Sequence, residues 1–167
     1  MLQLRDLPNE EILKKFEQRY PDADIASIII FLRLLRVTSD LSSALDQYLN
    51  RHGLLQGRWW VMILLMREDN FTSTPSLLAE KAGVSRATMT RLIDGLERDG
   101  LVSRQFDSED RRSFSVTLTR AGQKKLDALI PDYYRRVKAS MQALGKERFA
   151  ELDDLLDGVQ EGIKAFD

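Results

Sequence analysis

The chain has 167 residues, is 43% hydrophobic and 31% charged, and carries a formal net charge of −1, which suits one soluble domain with a single sizeable core. It has no cysteine and one histidine, His52. That excludes disulfides, thiolate metal sites and a cysteine nucleophile or redox switch, and it leaves little from which to build a histidine metal site, so no cofactor or metal is expected. There is no apolar run of signal-peptide length and none of the roughly 20 residues that span a bilayer, so a soluble, cytoplasmic protein is expected.

Helical periodicity dominates the first half. Residues 7–19 form a short amphipathic stretch with Ile12, Leu13 and Phe16 on one side. Asp6 is placed to cap it, Pro8 falls in its first turn and Pro21 ends it. A long helix is expected from about Asp24 to about Arg51, with apolar residues at Ile25, Ile28, Ile29, Leu32, Leu35, Leu41, Leu45 and Leu49. At about 1.5 Å per residue it spans about 42 Å, more than a compact domain of this size needs. Such a helix packs against a second chain or bridges subdomains. Arg36, Thr38, Ser39, Asp40, Ser42 and Ser43 break the pattern and either line a cavity or face water. Gly53 is a natural stop. Residues 55–68 read as a strongly apolar helix carrying Trp59, Trp60, Met62, Ile63, Leu65 and Met66, and "NFTSTP" (70–75) reads as a loop.

Thr74-Pro75 then starts a helix, a hydroxyl N-cap followed by proline at the first helical position. It runs to Ala82, and Gly83 provides the turn. Ser85 caps the next helix, with Val84 placed as a hydrophobic staple. Met89, Leu92, Ile93 and Leu96 repeat at i, i+3, i+4 and i+7 as a core stripe. Off that stripe lie Arg86, Ala87, Thr90, Arg91, Asp94 and Arg98. Small side chains, hydroxyls and arginines on the first turns suit a helix that enters the major groove, where arginine forks onto guanine, and the positive helix end favours phosphate. Two short helices joined by a glycine turn fit a helix-turn-helix, although an ordinary helical hairpin reads the same way.

After Asp99-Gly100, "LVSRQF" (101–106) and "SFSVTLT" (113–119) alternate as strands around the polar tip "DSEDRR" (107–112). This hairpin is the expected wing. Arg111 and Arg112 at its tip would reach the minor groove or backbone, with Asp110 orienting one of them. From Lys81 to Lys125 there are ten basic and six acidic residues, against fifteen and twenty elsewhere. The basic excess therefore falls on the segment that carries the motif.

Residues 74–122, above all "RLIDGLERDGLV" and "DSEDRRSFSVTLTRAG", resemble the MarR family of winged-helix regulators. The resemblance implies a mainly α fold with a small β-hairpin wing (α+β), its lobe (55–119) flanked by dimerisation helices (1–52 and 120–167) in a single domain. It implies a homodimer whose lobes reach successive major grooves of double-stranded DNA at a pseudo-palindromic site. Ser85, Arg86, Ala87, Thr90 and Arg91 would contact DNA, and Arg112, positioned by Asp110, would enter the minor groove. The short helix before residue 21 is similar to an N-terminal extension in some members, phenolic-ligand sensors among them. Many members repress transcription and release DNA on binding a small, often aromatic anion. Without cysteine, the oxidant-sensing branch is excluded. For a small-molecule effector, Arg36, Trp59, Trp60 and Met62 are the candidate contacts by location, or else core and surface residues. Thr119 can cap a helix from Arg120, Pro131 would kink or break it, and a last helix carries Phe149, Leu152, Leu155, Leu156, Val159, Ile163 and Phe166 on an apolar stripe that suits a subunit interface or ordinary core.

Two other readings stand beside this one. The overall acidic balance fits a winged-helix module that binds protein instead of DNA. An enzyme would need converging groups, but Asp153 and Asp154 point about 100° apart on a helix, and no nucleophile–base pair or phosphate loop is visible.

Overall fold

A computed structural model describes residues 8–106 and 114–167. It is mainly helical with one small antiparallel sheet. Two compact units divide it: the chain up to Leu64 together with Pro75–Gly95, and Leu65–Thr74 together with Leu96–Asp167.

In the first unit, helix α1 spans Glu10–Arg19. Its cap is Asn9, whose side-chain oxygen accepts the Ile12 amide at 2.9 Å, so the helix starts later than expected and Pro8 precedes it. Asp6 lies outside the described residues. Asn9 stands three residues before the amide it caps, the separation that an N-cap side chain spans most easily. Helix α2, Ile25–Arg51, runs 27 residues, close to the expected bounds. The Asp24 carboxylate opens it by accepting the Ala26 and Ser27 amides at 3.1 and 3.4 Å and the Ser27 hydroxyl.

Those bonds, the Ser27 hydroxyl foremost and the Ser27 amide next, hold the Asp24 carboxyl below its ordinary value of 3.8. A carboxyl whose folded value is depressed stabilises the fold above its unfolded value and loses that contribution as pH falls through the folded one. Asp24→Ala is therefore expected to be less stable than the parent by a constant margin at neutral pH. The margin should shrink below pH 3.8 and level off, once Asp24 is protonated in both states, at what the neutral carboxyl retains as a hydrogen-bond acceptor. Urea melts followed by circular dichroism across pH 3–7 would check this, and a margin unchanged at the acid end would contradict it.

Helix α3 is Gln56–Met66, shorter at both ends than the apolar run suggested. Tyr48, Leu49, Leu54, Trp59, Val61, Met62, Leu78, Ala79, Met89 and Ile93 are the buried apolar side chains of this unit's two-helix-turn core, with Leu13 from α1. Helices α4 (Pro75–Lys81) and α5 (Arg86–Arg98) complete the helix-turn-helix.

In the second unit, the segment expected to be a loop is ordered. A 3-10 turn, Asp69–Phe71, leads into strand β1, Thr72–Ser73. The sheet order is β1-β3-β2, with β2 at Val102–Phe106 and β3 at Phe114–Leu118. The wing thus has a third strand, where Thr72 pairs with Thr117 and Ser73 with Val116. Two residues are too short for an alternation signal, and the pairing comes from a partner 45 residues away, whose hydroxyl lies 2.8 Å from that of Thr72. Helix α6, Arg120–Met141, continues unbroken through Pro131, so the expected break does not occur. Helix α7, Phe149–Gly162, exposes Phe149, Leu155, Leu156 and Val159. Among the described residues no helix is long and apolar enough to cross a membrane.

Candidate nucleic-acid interface

The turn between α4 and α5 is built by backbone bonds. Gly83 at φ +62° donates to the Glu80 carbonyl at 3.1 Å, and Val84 donates to Ala79 at 3.0 Å. This paired pattern closes a helix on a left-handed residue, which glycine adopts without a Cβ clash. The chain then turns directly into α5. Ser85 caps it: its hydroxyl oxygen accepts the Thr88 amide at 3.2 Å and lies 3.0 Å from the Thr88 hydroxyl.

Helix α5 divides as its periodicity predicts. Met89, Ile93 and Leu96 are buried and Leu92 is half-buried. Arg86, Ala87, Thr90 and Arg91 are exposed on the opposite side, four positions within two turns that share one face. Among the described residues, neither the Arg86 nor the Arg91 guanidinium has a carboxylate partner. The Thr90 hydroxyl donates to the Arg86 carbonyl at 2.9 Å, so toward a ligand it offers only acceptor lone pairs unless that bond breaks. Asp94 lies further along the same face and would repel phosphate, which confines the anion-favouring surface to the first two turns. Ser85 has a prior structural task, since removing an N-cap hydroxyl costs about 1 kcal/mol whatever it touches. Asp110, Arg111 and Arg112 lie outside the described residues.

The root of the wing, in the second unit, contains a contact that the sequence reading missed. Arg104 is mostly buried, its Nε 3.4 Å from the Glu97 carboxylate and its guanidinium carbon 4.8 Å above the Phe114 ring. Phe106 packs on Phe114 with ring centroids 5.7 Å apart. The signal was present in the alternation: Val102, Arg104 and Phe106 share one face of β2, so the arginine occupies an inward position. The start of α6 is capped by Thr119 as expected, and only the bonds of its hydroxyl back to the preceding turn were not foreseen. The Thr119 hydroxyl accepts the Gly122 amide at 3.1 Å and points its proton at the carbonyls of Gly100 (2.8 Å) and Leu101 (3.1 Å).

The proposed effector contacts scatter by environment. Trp59 and Met62 have no exposed surface, Trp60 is 37% exposed, and Arg36 pairs with Asp40 at 2.7 Å one turn along α2. Trp59 and Met62 therefore serve as core in this structure, and only Trp60 and Arg36 offer surface to a ligand. Among the described residues no group of three or more acidic, histidine or cysteine side chains is arranged to hold a metal.

Helices α4 and α5 followed by a stranded wing define a winged helix-turn-helix. The MarR family model matches residues 57–114. The HTH-type transcriptional repressor YetL of Bacillus subtilis (strain 168) is 28% identical over 99% of this chain and 99% of its own. The crystal structure of transcriptional regulator PA4135 is 30% identical, covers 78% of this chain and 95% of its own, and matches with a TM-score of 0.65. Sco3205, a MarR family transcriptional regulator from Streptomyces coelicolor solved in complex with DNA, has the same fold, with a TM-score of 0.77 at 21% identity over 84% of this chain and 93% of its own. NadR, solved in complex with 4-hydroxyphenylacetate, is 28% identical over 78% of this chain and 91% of its own, with a TM-score of 0.60. This chain belongs to the MarR family of transcriptional regulators.

Proposed function

We propose that this protein is a cytoplasmic, non-enzymatic regulator that binds a specific double-stranded DNA site as a homodimer, represses transcription, and is released by a small aromatic or lipophilic molecule. The observation that carries the reading is the face of α5: Arg86, Ala87, Thr90 and Arg91 are exposed together on its first two turns, opposite a buried stripe. Arginine reads guanine bidentately, alanine permits close approach, and the hydroxyl of Thr90 accepts from base or backbone donors. Ser85 sets where the helix begins. Arg112 and Arg111, with Asp110, are assigned to the wing tip and its minor-groove or backbone contacts.

Residues 55–119 act as the DNA-binding lobe and residues 1–52 and 120–167 as the dimerisation region of a single domain. Exposure of apolar residues supports this division. Ile30, Phe31, Leu35, Val37 and Leu41 on α2, and Leu155, Leu156, Val159 and Ile163 in the C-terminal region, are each more than 40% exposed in the single chain, more apolar surface than a lone soluble domain usually shows to water. The effector is assigned to Arg36 and Trp60, the two of the four expected contacts that offer surface, while Trp59 and Met62 belong to the core. The repressor name of YetL and the ligand in NadR support the repressor and effector parts of the reading.

Selection from random double-stranded DNA, followed by fluorescence anisotropy at two salt concentrations, tests the reading. A two-fold symmetric site with half-sites about 10 bp apart is expected, with affinity falling steeply as salt rises because neutralised phosphates release counterions. Failure to enrich any sequence, even after ligand is stripped by refolding, would leave the protein-binding module as the better account.

A further inference from the structure

The second unit holds a cavity of about 220 Å³ lined by Met66, Phe71, Leu118, Gln123, Leu126 and Asp127. It shares no residue with the effector contacts assigned above. A cavity of about 150 Å³ accepts benzene, so this one has room for one ring and a short chain. Four of its walls are apolar. Its two polar side chains are Gln123, whose amide gives one of its two hydrogens to the Leu118 carbonyl at 3.4 Å and whose oxygen accepts, and Asp127, which contributes a carboxylate. No cation lines it. An aromatic acid placed here would meet the Asp127 negative charge and no cation to offset it. A protonated amine would meet the carboxylate, the amide oxygen and the face of Phe71, each of which attracts it.

Phe71 sharpens the case. It and Asn70 stand side by side at φ +56° and +55°, a left-handed conformation that costs a bulky residue roughly 1–3 kcal/mol. The Phe71 ring lines the cavity and is 38% exposed.

We infer that this cavity is a second small-molecule site, selective for a protonated aromatic amine over an aromatic carboxylate. Isothermal titration calorimetry of the full chain with 2-phenylethylamine tests it, with phenylacetate as the competitor of matched size and opposite charge. The amine is expected to bind one site per chain, excess phenylacetate to leave that binding unchanged, and Asp127→Asn to weaken it about tenfold, the usual size of one lost charged hydrogen bond. Asp127 is exposed, so the variant keeps its core, which circular dichroism verifies. Displacement by phenylacetate, an Asp127→Asn affinity equal to the parent's, or no heat at millimolar amine would each overturn the inference. Binding is read without DNA, so such a failure leaves the regulator reading standing.

Discussion

Arg91→Ala is expected to weaken binding to the selected operator by about a hundredfold or more, because a good bidentate arginine–guanine contact contributes roughly 1–3 kcal/mol and a dimer loses it in both half-sites. The loss should be specific to sequence. Affinity for unrelated DNA should change little, and the variant should stop discriminating at one base-pair position in each half-site. Arg112→Ala is the informative contrast. A cation near phosphate or the minor groove weakens binding to all sequences and lowers the slope of log affinity against log salt by about one per contact. Anisotropy titrations of both variants at several salt concentrations separate the two roles. If Arg91→Ala bound the operator like the parent, α5 would not be the reading helix. Arg91 is exposed on a helix whose cap and buried stripe do not involve it, so the substitution leaves the fold intact.

Gly122→Ala is expected to destabilise the protein by about 2 kcal/mol, the usual cost of overpacking, and to lower the Tm by roughly 4–8 °C. The sign is what makes this result informative. Gly122 lies in the first turn of α6, where helix propensity alone favours alanine by up to about 1 kcal/mol. Against that, an added Cβ would overlap the Leu101 carbonyl oxygen and stand 2.7 Å from Leu118 Cδ1. The carbonyl cannot move aside, because it accepts the Thr119 amide at 3.0 Å and faces the Thr119 hydroxyl at 3.1 Å. Gly158→Ala provides the control. In α7 an added Cβ meets nothing within 4 Å, so propensity acts unopposed and stability should rise by about 0.5–1 kcal/mol. Thermal melts at matched protomer concentration, necessary if the chain dimerises, would show the two alanines moving Tm in opposite directions. A rise for Gly122→Ala would mean that α6 does not approach Leu101 this closely.

Much of this protein is legible from residue order because its signals are local. The α5 stripe, the Thr74-Pro75 start, the Gly83 turn and the Thr119 cap each depend on residues within a few positions of one another, and periodicity or capping chemistry exposes them directly. The clustering of basic charge between Lys81 and Lys125 is likewise a property of the chain. Tertiary structure decided the rest. Strand β1 exists only because β3 passes beside Thr72 and Ser73, and two residues leave no pattern to read. Alternation places Arg104 on the Val102 face of β2, but its partners Glu97 and Phe114 are supplied only by the tertiary structure. Gly122 looks like a poor helix residue until the Leu101 carbonyl is seen beneath it. Trp59 and Trp60 are adjacent in sequence, yet one is fully buried and the other more than a third exposed, because neighbours on a helix point about 100° apart and only packing selects which of them faces the core. The cavity beneath Phe71 could not be read at all, since its walls come from α3, a 3-10 turn, β3 and α6 and share no spacing along the chain.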